Sequence, residues 1–227
     1  MRKIVLIALL SLLAGCVTSI ALQEQVPDVG YVPEGIIAIA VVDDRKRVKD
    51  GKPPTYVGKL WSSWMFISTD IDMHVDRIFT TEAGDKDRTL AEVLQNRIVI
   101  GLQRDGWGAI PMDRSARPDM SDIQNLLSDA GAKVLVTLVL NEWDFSQKKD
   151  YWGWGGLTYY FDTDVEVYVQ AGGLGKLTHR RIAEREVIEP EADQSLQNEL
   201  LKVYRNQLVQ IFDDPEIRAA IELGGGH

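Results

Sequence analysis

The sequence predicts an α/β (α+β) fold: a mixed β-sheet with a C-terminal antiparallel meander and helices packed mainly on one face. Three observations predict it. The unbroken apolar run from Ile36 to Val42 suits a strand buried on both faces. Between Leu90 and Leu102 apolar residues recur at helical spacing until Gly106 stops the run. From Lys133 to Ile188 three consecutive stretches alternate in the two-residue period of strands. With 227 residues, 45% hydrophobic and 26% charged, the chain has enough apolar material for one well-packed domain.

In chain order, Val17 to Gly35 is polar, is broken by Pro27, Gly30, Pro33 and Gly35, and reads as a flexible tether. Ile36 to Val42 is the first core strand, closed by Asp43 and Asp44, and Arg45 to Gly58 reads as a long surface loop. Trp61 to Phe79 holds one or two edge strands, with Ile71, Met73 and Val75 alternating against polar neighbours. Thr89 and Glu92 make a capping box for a helix that buries Leu90, Val93, Leu94, Ile98, Gly101 and Leu102. Trp107 to Pro111 is a short strand. A second helix starts near Asp119 or Ser121, turns Ile123, Leu126, Leu127 and Ala130 inward and ends at Gly131.

Lys133 to Phe145 is the strongest strand, with Val134, Val136, Leu138 and Leu140 expected on one face and Leu135, Val139, Trp143 and Phe145 on the other. Thr158 to Gln170 sets Tyr159, Phe161, Val165, Val167 and Val169 against Tyr160, Asp162, Asp164, Glu166 and Gln170, a strand with one wet face. Lys176 to Ile188 pairs back, so that Lys176, Arg180, Arg181 and Arg185 can oppose the acidic row. A helix from about Asp193 to Phe212 and a short one opened by Asp214 and Pro215 complete the domain, and Gly224 to His227 reads as a frayed tail.

The first residues concern the compartment. Arg2 and Lys3 precede an apolar run from Ile4 to Leu13, the layout of a secretory signal and too short for a spanning helix. The run closes on Leu13, Ala14, Gly15 and Cys16, which resembles the lipobox of bacterial lipoproteins. That resemblance implies a diacylglyceryl thioether and palmitate on Cys16, the sole cysteine, with residues 1–15 removed as signal peptide. It divides the chain into a lipidated cysteine and tether at 16–35, an α/β domain at 36–223 and a tail at 224–227. By the sorting rule of such lipoproteins, Val17 in place of Asp favours the outer membrane, with the domain facing the periplasm.

The strand "IIAIAVVDD", the helix end "GLQRDGW" and the strand "KVLVTLVLNEWDF" together resemble YajG-like lipoproteins. More loosely they resemble the TolB N-terminal domain and ABC-transport auxiliary lipoproteins. The likeness covers about two-thirds of the mature chain in element order. It implies no catalytic residues, and the segment from Arg45 to Arg88 and the Trp-rich hairpin depart from the compact pattern.

Several clusters carry possible chemistry. Asp70, Asp72, His74 and Asp76 have the two-residue spacing that points side chains to one face of a strand, where oxygen and imidazole ligands can hold a divalent cation. The same alternation describes a solvated edge strand whose charges prevent aggregation. Asp43 and Asp44 stand at the carboxyl end of a buried strand, where α/β sheets place ligand groups, although Asp also serves loop amides there. Tyr151, Trp152 and Trp154 fall at a hairpin tip, where aromatic area suits a protein partner, a glycan or a membrane interface, or folds back onto the sheet end. His74, His179 and His227 lack a nucleophile motif, and "GGLG" at 172–175 lacks the lysine and helix of a phosphate loop.

Lys plus Arg number 25 against 34 Asp plus Glu, a formal charge of −9, which argues against nucleic acid as a partner. The expectation is thus a non-enzymatic, lipid-anchored component of the cell envelope with a membrane and an envelope protein as partners and no cofactor. The alternative is a metal-binding protein or metal-dependent hydrolase using the Asp/His cluster.

Overall fold

The computed structural model describes residues 19–64, 67–79, 87–114, 123–149, 157–172, 177–189 and 195–226. Within them the chain forms α1 (Leu22–Gln25), β1 (Ile36–Asp43), α2 (Lys46–Lys49), β2 (Tyr56–Trp64), β3 (Ile67–His74), α3 (Val75–Ile78) and α4 (Leu90–Arg104). There follow β4 (Gly108–Pro111), α5 (Ile123–Ala130), β5 (Val134–Lys149), β6 (Leu157–Ala171), β7 (Leu177–Ile188), α6 (Leu196–Asp213) and α7 (Pro215–Gly225). The fold is α+β, with the strands in one mixed seven-stranded sheet.

β5 is the axis of that sheet. Its first half pairs in parallel with β1, from Ile37↔Val134 to Asp43↔Leu140, and β1 pairs in parallel with β4 on its other side. Beyond the end of β1 the same edge of β5 is taken over by β2, which meets it at Gly58↔Phe145 and carries β3 as an antiparallel outer strand. Gly58 is needed at that meeting: its φ is +146°, and a side chain there would strike the carbonyl of Phe145. The other edge of β5 pairs with β6, and β6 with β7, in the antiparallel meander expected from the sequence.

Side-chain parity decides what covers each face. Ile37, Ile39 and Val41 of β1 join Val134, Val136, Leu138 and Leu140 in the main core, under α4, α6 and α7. Ala38 and Ala40 point the other way, where their small size accommodates Ile123 and Leu127 of α5. Helices therefore lie mainly on one face. Thr89 and Glu92 form the expected capping box of α4, and Asp214 caps α7 through the amides of Glu216 and Ile217.

Four expectations are corrected. Residues 19–35 are not a free tether: Val26, Val29 and Tyr31 are buried, the Val29 amide donates to Asp105 Oδ2 at 2.8 Å, and the Trp107 indole donates to the Tyr31 carbonyl at 2.6 Å. Beyond the single turn of α1 the strap has no period to read, yet its apolar residues still find the core. The stretch 45–58 is no simple loop, since α2 lies in it and Tyr56 and Val57 are buried at the start of β2. The tail is not frayed through Gly224 and Gly225, which pack against Val134 and Glu34 while Lys133 Nζ donates to the Gly225 carbonyl at 3.0 Å.

The fourth correction concerns β5. Between Leu140 and Glu142 the register with β6 shifts by one residue, a β-bulge at Asn141. One extra residue reverses the alternation, so Trp143 and Phe145 lie on the same face as Val134 to Leu140 and join the main core, contrary to the two-face assignment. Glu142 and Asp144 are turned to the opposite face.

Candidate functional site

The bulge creates a charged cleft on the sheet face away from α4 and α6. Residues directly opposite on antiparallel strands share a face, so Glu142 stands beside Asp164 and Asp144 beside Asp162. Arg45, Lys46 and Arg47, from the start of α2, close over them, and the cleft of about 210 Å³ is lined by these three with Asn141, Glu142, Asp144 and Asp164.

Its carboxylates would repel one another without the arginines. Arg181 of β7 grips Asp164 through two parallel contacts, Nε to Oδ1 at 2.8 Å and Nη2 to Oδ2 at 2.6 Å, and Arg185 bonds to Asp162. The Arg181 hydrogen bond holds the Asp164 carboxyl below its ordinary range. The expected cross-strand pairing is therefore present for Arg181 and Arg185. Arg180 points to the other face and meets Asp214 at 3.2 Å, and Lys176 lies outside the described residues. Further along, Glu166 accepts from the Tyr168 hydroxyl and sits 3.3 Å from His179 Nε2, whose ring stacks on Tyr168.

Asp144 is the exceptional member. Its side chain is 3% exposed, Arg47 Nε stands 3.0 Å from Oδ2, and neither oxygen accepts an aligned hydrogen bond. Burial pushes its carboxyl up to about 6, against the pull of Arg47 and with the help of nearby Glu142. Arg47 also reaches Glu142 at 3.9 Å and donates to the Tyr56 hydroxyl at 3.1 Å. The neighbouring Arg45 is wholly engaged: its fork meets both oxygens of Asp43, and Nη1 donates to the Tyr56 carbonyl at 2.7 Å. Arg45 thereby ties the end of β1 to the start of β2, which answers for Asp43 structurally. Asp44 pairs with Lys49.

A second, wider depression lies at the carboxyl end of β1, lined by Val41, Val42, Asp43, Thr89, Glu92, Gln95, Asp113 and Arg114 among others. This is where the sheet order sends connections to either side, β4 on one and β5 on the other. The amides at the head of α4 are already served there, because Thr89 and Glu92 cap each other.

The proposed metal cluster does not assemble. Asp70 is bound to Lys59 at 2.7 Å, Asp72 to Lys52, and His74 Nδ1 lies 3.2 Å from the Thr55 hydroxyl. The strand ends at His74 and the chain turns helical at Val75, which takes Asp76 out of the alternation. Among the described residues no three His, Cys, Asp or Glu gather in a way that could hold a metal ion. Cys16, Tyr151, Trp152 and Trp154 lie outside the described residues. The sequence reading missed Arg45, Arg47, Asn141, Glu142 and Asp144 as a group. The only local signal was the Asp43-x-Arg45 spacing, because the bulge that gathers the rest leaves no mark in the pattern.

No family model matches the sequence, and no curated protein matches it. Among solved structures, the chain is similar to protein XCC0632 from Xanthomonas campestris, of the DUF330 family, at 9% identity and a TM-score of 0.43, covering 88% of this chain and 95% of that one. It is similar to the hypothetical protein CT253 from Chlamydia trachomatis at 11% identity and a TM-score of 0.39, covering 83% and 96%. Lipoprotein GNA1162 from Neisseria meningitidis follows at 12% identity and a TM-score of 0.34, covering 78% and 99%. At these scores the similarities carry no functional argument. Among the described residues no helix is long and apolar enough to cross a membrane.

Proposed function

We propose that this chain is a bacterial envelope lipoprotein, held in the outer membrane through acylated Cys16 and facing the periplasm, that acts by binding a protein partner rather than by turnover. The observation that carries the reading is the placement of the sole cysteine directly after Leu13, Ala14 and Gly15, at the edge of a short apolar run behind Arg2 and Lys3. Each buried methylene of an acyl chain is worth about 0.8 kcal/mol, so two or three such chains hold a protein on a bilayer indefinitely. The resemblance of the segments "IIAIAVVDD", "GLQRDGW" and "KVLVTLVLNEWDF" to YajG-like lipoproteins supports the same compartment. Asp164, gripped by Arg181 and held below its ordinary range, is a poor proton donor, which supports recognition at the cleft. The charged cleft face and the hairpin bearing Tyr151, Trp152 and Trp154 are the contact surfaces in this reading.

Expression in a Gram-negative host with labelled palmitate tests the anchor. Label is expected in the wild-type protein and absent from Cys16→Ser, which should leave the membrane fraction; label in both, or in neither, overturns the proposal. Affinity capture from those membranes with the Trp152→Ala/Trp154→Ala double variant then tests the hairpin, and an unchanged set of captured proteins removes it as the contact.

A further inference from the structure

We infer that the domain sits directly on the bilayer with the α1, α4 and α6 side turned toward it, so that the charged cleft of Asp144, Asp164 and Arg47 faces away into the aqueous space. This rests on the acyl anchor at Cys16 proposed above and adds an orientation to it.

Chain length sets the pose. The Ile20 amide donates to Asn198 Oδ1 of α6 at 3.0 Å, its carbonyl accepts from Gln25 Nε2 at 2.9 Å, and its side chain packs against the main core. From there to Tyr31 the strap runs along the helix layer: Gln25 Oε1 accepts from Arg97 of α4, and the carbonyls of Gln23 and Pro27 accept from Arg104. Among the described residues, packing against the helix layer thus reaches back to Ile20, four residues after the cysteine. Four residues reach at most about 14 Å whatever their conformation. A compact domain of this size is about 40 Å across. A leash so much shorter than the body it holds keeps the point of attachment near the lipid, and the face on the far side of the sheet cannot swing round to touch it.

Ile20 is attached on the helix side of the sheet, whereas Glu142, Asp144, Asp162 and Asp164 occupy the other side, as their register across β5 and β6 requires. The surface near the attachment carries both signs, with Arg104 beside Asp28 and Glu24 exposed at α1, so the leash rather than lipid charge sets the pose. A free tether of the length read from the sequence would have left orientation open. Packing from Ile20 onward leaves only a few residues between anchor and domain and makes the cleft face the one turned to the aqueous space.

The test uses the full-length acylated protein in vesicles of neutral phosphatidylcholine carrying a headgroup-labelled acceptor. Donor dyes are placed on Gln23→Cys, exposed on α1, or on Lys46→Cys, exposed at the cleft rim; acylated Cys16 does not compete for the label. Energy transfer is expected to be at least about threefold stronger from position 23 than from position 46, given the lengths above. Inserting a flexible Gly/Ser segment of about 20 residues after Thr18 should bring the two signals together while the protein still floats with the vesicles. Equal transfer from both sites without the insertion, or stronger transfer from position 46, overturns the orientation and leaves the anchor standing. If the wild-type protein carries no acyl chain and does not float, the anchor falls and the orientation with it.

Discussion

On one face of β6, Phe161, Val165 and Val167 are buried against the helix layer, with the Phe161 ring 5.0 Å from that of Tyr204; on the other, the intervening Asp162, Asp164 and Glu166 meet Arg185, Arg181 and His179. The two faces belong to the same strands and differ only in parity. Core packing and charge pairing are carried by alternate residues of one sheet, and the bulge at Asn141 lets β5 serve both along its whole length. Without it Trp143 would lie among the carboxylates and Asp144 in the core.

Substitutions that remove core contacts sharpen this contrast most. Trp143→Ala should lower the unfolding free energy by about 3–5 kcal/mol in a denaturant titration, since the ring is fully buried against Phe161 and Tyr204. A loss below about 1 kcal/mol would break the assignment of Trp143 to the helix-covered face.

Next in size is Arg45→Ala, expected to cost about 3 kcal/mol in the same titration, because Asp43 and the Tyr56 carbonyl would lose a buried donor. Arg45→Lys should recover only part of that, as an ammonium cannot reproduce the two-pronged contact.

Asp144 gives a smaller, pH-dependent effect. Its carboxyl rises to about 6 in the folded protein, against about 3.9 in an unfolded chain, so the native state holds the proton more tightly. The associated stability is whole below pH about 4 and is lost as pH rises through about 6. Unfolding free energies from pH 4 to pH 7 should therefore fall by about 2 kcal/mol more in the wild type than in Asp144→Asn. Parallel curves would mean that Asp144 is neither buried nor protonated as described.

The smallest effect is expected from Arg181→Ala. This pair is exposed on the arginine side, so the unfolding midpoint should move little, and that little should vanish as salt is raised. A large, salt-independent loss would show the charged face to be a structural element like its opposite.

Much of the architecture was legible in the sequence because it follows from local pattern. The apolar run of β1, the Thr89/Glu92 cap of α4, the meander with its wet face and the Asp214-Pro215 start of α7 are each written in a few neighbouring residues. The strap from Ile20 to Gly35 was not, since Val26, Val29 and Tyr31 are buried without any period. The cleft was legible only on its β6 side, where Asp162 and Asp164 alternate openly. Its other half comes from Arg47, brought in by the connection after β1, and from Asp144, aimed by a bulge.

The sequence by itself determined the main strands and helices, where the lipobox-like cysteine stands and that one face of β6 is acidic, because these depend on residue type and short-range spacing. Tertiary structure alone decided that the supposed tether is packed onto the helix layer and that Trp143 and Asp144 exchange the faces a plain alternation gives them. The physical reason is common to both: burial of an aperiodic strap and insertion of one extra residue in a strand are set by contacts with distant parts of the chain, Asp105, Phe212 and Asn198 in one case and the register with β6 in the other.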